Sequence, residues 1–196
     1  QINVDHQIFL LDGTTLDLSE FWNRLYQAEQ NIFHACSEDI DLIYHYAQQK
    51  SLKNVFDTQI GMSFLWHGLQ VSYQNALKLV LEIDIDKDQT RSDWLARPLT
   101  DEQMNYAAND VLYIMRLAEK VKAELVEKSL YSHVLEDCQN LTFEIASETP
   151  KEKLYCDIGN YRHSRKQLMQ LQQLSVWREE MVKALNQPRS FILKNA

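Results

Sequence analysis

The sequence predicts an α/β core that gives way to a helical tail. Three observations lead there. Short apolar runs alternate with helical patterns early in the chain, whereas the later patterns are all helical. Only 4 glycines and 3 prolines punctuate 196 residues. Hydrophobic residues make up 45% of the chain, enough for one sizeable core and a second small module.

The elements follow in order. Gln7-Ile-Phe-Leu-Leu11 is apolar and stops at Asp12-Gly13, which reads as a strand and turn. Leu18 to Ala28 is an amphipathic helix with Leu18, Phe21, Trp22 and Leu25 on one side. Asn31 to Ala35 reads as a buried strand, after which Ser37 can cap a helix running to about Gln48. Val55-Phe-Asp57 is a third short strand that leads straight into a helix over Thr58 to Trp66. Another helix spans Tyr73 to Ile83, and residues 84–98 are irregular and charged. Thr100-Asp-Glu-Gln103 is a capping box that opens one long helix, with Met104, Ala108, Val111, Met115, Ala118 and Leu125 at helical spacing. A further helix covers Leu130 to about Ala146. Composition shifts near Glu148-Thr-Pro150. Beyond it, Leu168, Leu171, Leu174, Trp177, Met181 and Leu185 line one face of a helix that Asn186-Gln-Pro188 ends.

Charge is unevenly shared. The net charge is −8, which argues against a general nucleic-acid coat protein. Residues 1–150 hold 11 Lys/Arg against 24 Asp/Glu, and residues 151–196 hold 9 against 4. An acidic body with a basic appendage fits a carboxylate-lined site plus a phosphate-holding module, and equally two unrelated solvated surfaces. No apolar run nears the ~20 residues of a membrane span, and the N-terminus does not read as a secretory signal. Cys36, Cys138 and Cys156 form no metal-ligand spacing, so reduced thiols in a cytoplasmic protein are expected.

Three stretches carry candidate chemistry. In Tyr106-Ala-Ala-Asn-Asp110 the phenol and the carboxylate lie four residues apart on one helical face. The carboxylate can hold a divalent metal, and the phenol can hydrogen-bond a water or phosphate beside it. A solvated carboxylate beside a boundary aromatic has the same spacing. His34-Ala-Cys-Ser-Glu-Asp39 places a carboxylate in the first turn after a strand, where α/β sites gather and where a carboxylate also offsets the helix dipole. His34 is a candidate site residue or a packed histidine. Lys87 to Leu99 interleaves Arg91 and Arg97 with Trp94, as in a backbone-and-base contact surface or a loop anchored by its tryptophan.

Taken together, His34-Ala-Cys-Ser-Glu-Asp39, Asp57-Thr-Gln59, Arg91-Ser-Asp-Trp-Leu-Ala-Arg-Pro-Leu99 and Tyr106-Ala-Ala-Asn-Asp110 closely resemble the ribonuclease D family. This is the tyrosine branch of the DEDD 3′–5′ exonucleases. The similarity runs in order over nearly the whole chain. Trp177-Arg-Glu-Glu180, Asn186-Gln-Pro188 and Phe191-Ile-Leu193 resemble the start of an HRDC domain. The resemblance implies a ribonuclease-H-like 3′–5′ exonuclease domain over residues 1–148, lacking its first strand. Residues 149–196 would be a linker and the beginning of an all-α HRDC-like module. It implies two-metal phosphodiester hydrolysis with Mg²⁺ or Mn²⁺. Asp39 would be the second-motif carboxylate, holding a metal directly or through water. Asp110 would be a direct metal ligand, and Tyr106 would orient the attacking water. Arg91, Trp94 and Arg97 match nucleic-acid-binding positions near the substrate. RNA 3′ ends, tRNA precursors above all, are the implied partners, and no membrane or obligate protein partner is called for.

One departure from the family pattern stands out. The family's first motif, Asp-x-Glu on the first strand, supplies two of four carboxylates and has no equivalent here. Glu82-Ile-Asp84 and Asp84-Ile-Asp86 lie in the wrong place to replace it. The chain is therefore expected to be a fragment with an incomplete metal site and little activity as it stands, because two carboxylates alone hold Mg²⁺ poorly. The alternative is a catalytically deficient nucleic-acid-binding relative. A DNA-directed repair exonuclease shares the chemistry, and RNA over DNA rests on the resemblance.

Overall fold

The fold was obtained as a computed structural model, which describes residues 1–85, 92–147, 149–185, 187 and 189–194. Two compact units divide it, residues 1–146 and 147–196.

The first unit opens with a hairpin. Strand β1 (Ile2–Val4) pairs antiparallel with β2 (Gln7–Phe9), in the register Ile2 with Phe9 and Val4 with Gln7. Asp5 and His6 between them both take positive φ, 49° and 64°, the backbone a two-residue hairpin requires. Asp-His is a weak turn signal, which is why the sequence shows β2 and hides β1. Helix α1 (Ser19–Gln27) follows, and Trp22, Leu25 and Tyr26 pack from it onto the core.

The centre of the unit is a β-α-β crossover. Strand β3 (Asn31–Phe33) and strand β4 (Val55–Asp57) run parallel, with Ile32 opposite Phe56 and Phe33 opposite Asp57. Helix α2 (Ser37–Ala47) connects them and buries Ile40, Ile43 and Tyr44. Ser37 does not cap it. Cys36 occupies the cap position, and its side chain makes no capping bond. Backbone amides ahead of α2 instead find a carboxylate on the neighbouring strand, described below.

Helix α3 (Thr58–Phe64) leaves β4 without a loop because Asp57 is its cap, accepting from the Gln59 and Ile60 amides. Gly61 lets α3 lie close: a Cβ there would sit 2.8 Å from Val121 Cγ1. Helix α4 (Tyr73–Leu81) is capped by Ser72, which accepts from the Asn75 amide.

The capping box at Thr100 forms as read, opening α5 (Asp101–Leu112). The expected single long helix does not. The chain breaks at Tyr113 (φ −104°, ψ 0°) and resumes as α6 (Ile114–Glu127). The break re-aims the buried face. α5 buries Gln103 and Ala107 and leaves Met104 exposed, whereas α6 buries Ile114, Leu117, Ala118, Val121 and Leu125. Helix α7 (Tyr131–Ala146) closes the unit and buries Val134, Cys138 and Thr142. Phe56, Ile40, Leu52, Met62, Leu77, Leu117, Val121 and Leu125 form one core around β4.

In the second unit, a 3-10 helix (Lys151–Asp157) lies beside α8 (Arg165–Leu185), followed by the short α9 (Arg189–Ile192). The expected apolar face of α8 forms only in part: Leu168, Leu171 and Met181 are half-buried. Ser175 is buried and bonds the Leu171 carbonyl, while Leu174, Trp177 and Leu185 are exposed. Asn186 and Pro188 lie outside the described residues, as does Glu148. Among the described residues, no helix is long and apolar enough to cross a membrane.

Candidate active site

The sequence places two carboxylates on different elements, Asp39 in the first turn of α2 and Asp110 near the end of α5. Each has protein around it. Asp39 keeps solvent access, yet desolvation pushes its carboxyl above the usual range, helped by the negative charges of Asp57 and Glu38. Desolvation likewise raises half-buried Asp110. Strand β1 docks on α5, where Asn3 Nδ2 donates to the Val111 carbonyl at 2.9 Å.

Tyr73, the first residue of α4, is a neighbour of Asp110 that sequence reasoning did not single out. Its hydroxyl is buried against the Tyr113 backbone, burial raises its pKa, and it lies close enough to Asp110 for that carboxylate's charge to add to the rise. Nothing in the apolar pattern of α4 singles Tyr73 out.

Tyr106, half-buried on α5, meets Trp94: their ring centroids are 5.9 Å apart at 48°. The loop bearing Trp94 is latched by Gln103, which is buried and has two tasks. Its Oε1 accepts from the Thr100 amide at 3.0 Å, completing the capping box. Its Nε2 donates to the Asp93 carbonyl at 3.0 Å and to Ser92 Oγ at 3.2 Å. Arg91 lies outside the described residues.

Arg97 spends its donors within the protein. Nε and Nη2 bond the two oxygens of Asp12 at 2.7 and 3.0 Å, and Nη1 bonds the carbonyls of Trp94 and Ala96. The pair holds the Asp12 carboxyl far below its usual range. Arg97 therefore shapes the Trp94 loop. If it acts on a nucleic acid only through that shape, Asp12→Asn should weaken binding of single-stranded RNA just as Arg97→Ala does. A direct phosphate contact by Arg97 predicts the reverse for Asp12→Asn, because the guanidinium would be released. Fluorescence anisotropy of labelled RNA at low salt distinguishes the two.

His34 resolves as a packed histidine. Nε2 donates to the Val71 carbonyl at 2.8 Å, Nδ1 lies 2.8 Å from Thr58 Oγ1, and burial lowers its pKa. Burial likewise raises the thiols of Cys36 and Cys138, the latter to about 11, so both are inert packing groups at neutral pH.

Among the described residues, no three His, Cys, Asp or Glu side chains gather as a metal-holding group. The candidate donors, the carboxylates of Asp39 and Asp110 on α2 and α5, are oxygen groups that suit a hard cation. Mg²⁺ accepts one or two carboxylates and fills its remaining positions with water and substrate phosphate oxygens.

An oxygen-donor pair on a β-α-β core, with an aromatic loop beside it, is an arrangement for phosphoryl chemistry, and the chain belongs to the 3′–5′ exonuclease family. That family's sequence profile matches residues 7–126, which include Asp39, Tyr106 and Asp110. Within the family it resembles ribonuclease D. It is 35% identical to ribonuclease D of Pseudomonas paraeruginosa over 83% of this chain and 43% of the relative. It is 32% identical to that of Psychromonas ingrahamii over 99% of this chain and 53% of the relative. The chain thus spans about half the length of these curated relatives. The crystal structure of Escherichia coli RNase D superposes with a TM-score of 0.74 at 25% identity, covering 92% of this chain and 48% of that one. The fold is the ribonuclease-H-like exonuclease fold, helix-rich at its C-terminal end.

Proposed function

We propose that this chain is the carboxylate-bearing part of a metal-dependent 3′–5′ exoribonuclease. The observation that carries the reading is that Asp39, Tyr106 and Asp110 all lie within the stretch matched by the 3′–5′ exonuclease profile, with both carboxyls raised by desolvation. Family membership and the ribonuclease D relatives support it. Asp39 and Asp110 would hold divalent metal, Mg²⁺ or Mn²⁺, as two members of a two-metal donor set. Metal held there supplies Lewis acidity to the scissile phosphodiester. Tyr106 orients the attacking water from the next turn of α5. The Trp94 ring, backed by Tyr106, offers a stacking face to a terminal base. Arg97 is the internal clasp of the loop that bears Trp94, and Arg91 lies three positions before Trp94 in the sequence.

RNA 3′ ends are the proposed substrate, with tRNA precursors the particular class. The Escherichia coli relative is described as an exoribonuclease involved in structured RNA processing, which supports this choice. Residues 149–196 are proposed as a linker and the opening of an HRDC-like module, whose basic excess suits phosphate contacts. Cys36, Cys138 and Cys156 are all free thiols, which agrees with a cytoplasmic setting.

Incubating the protein with Mn²⁺ or Mg²⁺ and a 5′-labelled RNA tests the reading. Stepwise shortening from the 3′ end, lost with chelator, supports it. Salt-sensitive binding with no shortening in either metal would instead support a binding protein without catalysis.

The raised carboxyls also fix a pH dependence. Metal ligands must be deprotonated. Because desolvation raises Asp39 and Asp110, Mn²⁺ binding should fade as pH drops through values above the ordinary carboxyl pKa of 3.8. Water-proton relaxation across a pH series reads this directly, and a midpoint at or below 3.8 would count against the assignment.

A further inference from the structure

We infer that Asp57 is a positioning residue for the active site, acting on Asp39 through the backbone that joins β3 to α2. This rests on the proposed role of Asp39 as a metal-holding carboxylate. Asp57 is only 1% exposed, so it reaches neither solvent nor substrate. Its carboxylate accepts four backbone amides. Oδ1 takes Gln59 N at 2.7 Å, Ala35 N at 3.1 Å and Ile60 N at 3.4 Å, and Oδ2 takes Cys36 N at 2.7 Å.

Two of these bonds cap α3, the ordinary work of an aspartate in this position. The other two cross to a different segment. Ala35 holds a left-handed φ of 63°, strained for a residue with a Cβ. Cys36 then starts α2 without a side-chain cap of its own. Among the described residues the Ala35 and Cys36 amides bond to the Asp57 oxygens, and Asp39 follows three residues after Cys36 in the first turn of α2. The direction in which α2 leaves the sheet, and so the placement of Asp39, depends on this clasp. Thr58 reinforces it, donating from Oγ1 to the Phe33 carbonyl at 2.9 Å. Residues that orient ligands in this way typically change metal affinity by about 10–100-fold when replaced.

Asp57→Ser separates the two tasks. Serine still caps α3 but is too short to span to Ala35 and Cys36. The experiment follows Mn²⁺-induced broadening of assigned amide signals in the full chain, comparing Asp57→Ser, Asp57→Asn, Asp39→Asn and the double variant Asp39→Asn/Asp57→Ser. Asparagine keeps the volume of Asp57 but turns an amide group against the Cys36 N–H, so it guards against a packing effect. Expected in both Asp57 variants are upfield shifts of the Ala35 and Cys36 amides. A roughly 10-fold or greater rise in the Mn²⁺ needed to broaden signals around Asp39 should accompany them, with those around Asp110 changed less. In the Asp39→Asn background the Asp57 substitution should add nothing. Unchanged Ala35 and Cys36 shifts, or equal loss at Asp39 and Asp110, would overturn the inference. Broadening that is unaffected by Asp39→Asn would overturn the metal reading itself, a different result from either.

Discussion

Asp110→Asn should weaken Mn²⁺ binding on the order of 10²-fold, about 2.8 kcal/mol at 1.4 kcal/mol per tenfold change in affinity, while leaving the fold intact. An amide at this position still fits the space but contributes no negative charge to a cation. The stability side has the opposite sign. Desolvation raises the Asp110 carboxyl, so the folded protein disfavours its ionised form more than the unfolded chain does. That cost is present at neutral pH and disappears as pH falls below the unfolded carboxyl pKa. Asparagine removes it, so the variant should unfold at the same temperature as the parent or slightly higher at pH 7. Because the group is half-buried, water limits the gain to less than about 1 kcal/mol. Added Mn²⁺ should then stabilise the parent more than the variant. Undiminished Mn²⁺ binding in Asp110→Asn, or a marked loss of stability, would contradict this account of the residue.

The largest effect on folding is expected from Phe56→Ala. Phe56 is fully buried in β4 at the centre of the core. Its ring lies 5.8 Å from that of Tyr131 on α7, and the Lys122 ammonium of α6 sits 4.9 Å from its centroid. A Cβ added at Gly61 of α3 would touch it as well. One side chain therefore joins the strand to three helices. Truncation removes apolar burial, opens a cavity between elements that cannot all close in, and leaves Lys122 without its aromatic partner. A loss of ~3–5 kcal/mol is expected, with a fall in thermal midpoint of roughly 2–4 °C per kcal/mol. Urea denaturation measures it, and a loss under about 1 kcal/mol would mean that the helices do not pack around β4 as described. Because Phe56 immediately precedes Asp57, the same cavity should loosen the Ala35–Cys36 clasp.

Much of this architecture was legible in the sequence because its signals are local. Thr100 and Gln103 form the capping box on pattern alone, and the apolar runs at Asn31–Phe33 and Val55–Asp57 both become strands. What escaped depends on distant partners. Ser37 resembles a cap, but the amides before α2 are satisfied by Asp57, 22 and 21 positions from Ala35 and Cys36. The helical period continues through Tyr113, yet the helix breaks there and its buried stripe shifts. On α8 the apolar residues mark one face while burial centres on Ser175. The site divides along the same line. Tyr106 and Asp110 share a helical turn and could be seen as a pair, whereas Tyr73 becomes relevant only when α4 is brought beside α5.

Anomalous diffraction from crystals of the protein soaked in Mn²⁺ tests the central claim most directly. The account predicts an anomalous peak within coordination distance of the Asp39 or Asp110 carboxylate oxygens, lost when both residues are replaced by asparagine. Mn²⁺ bound only elsewhere, with these two carboxylates uncoordinated, would contradict it.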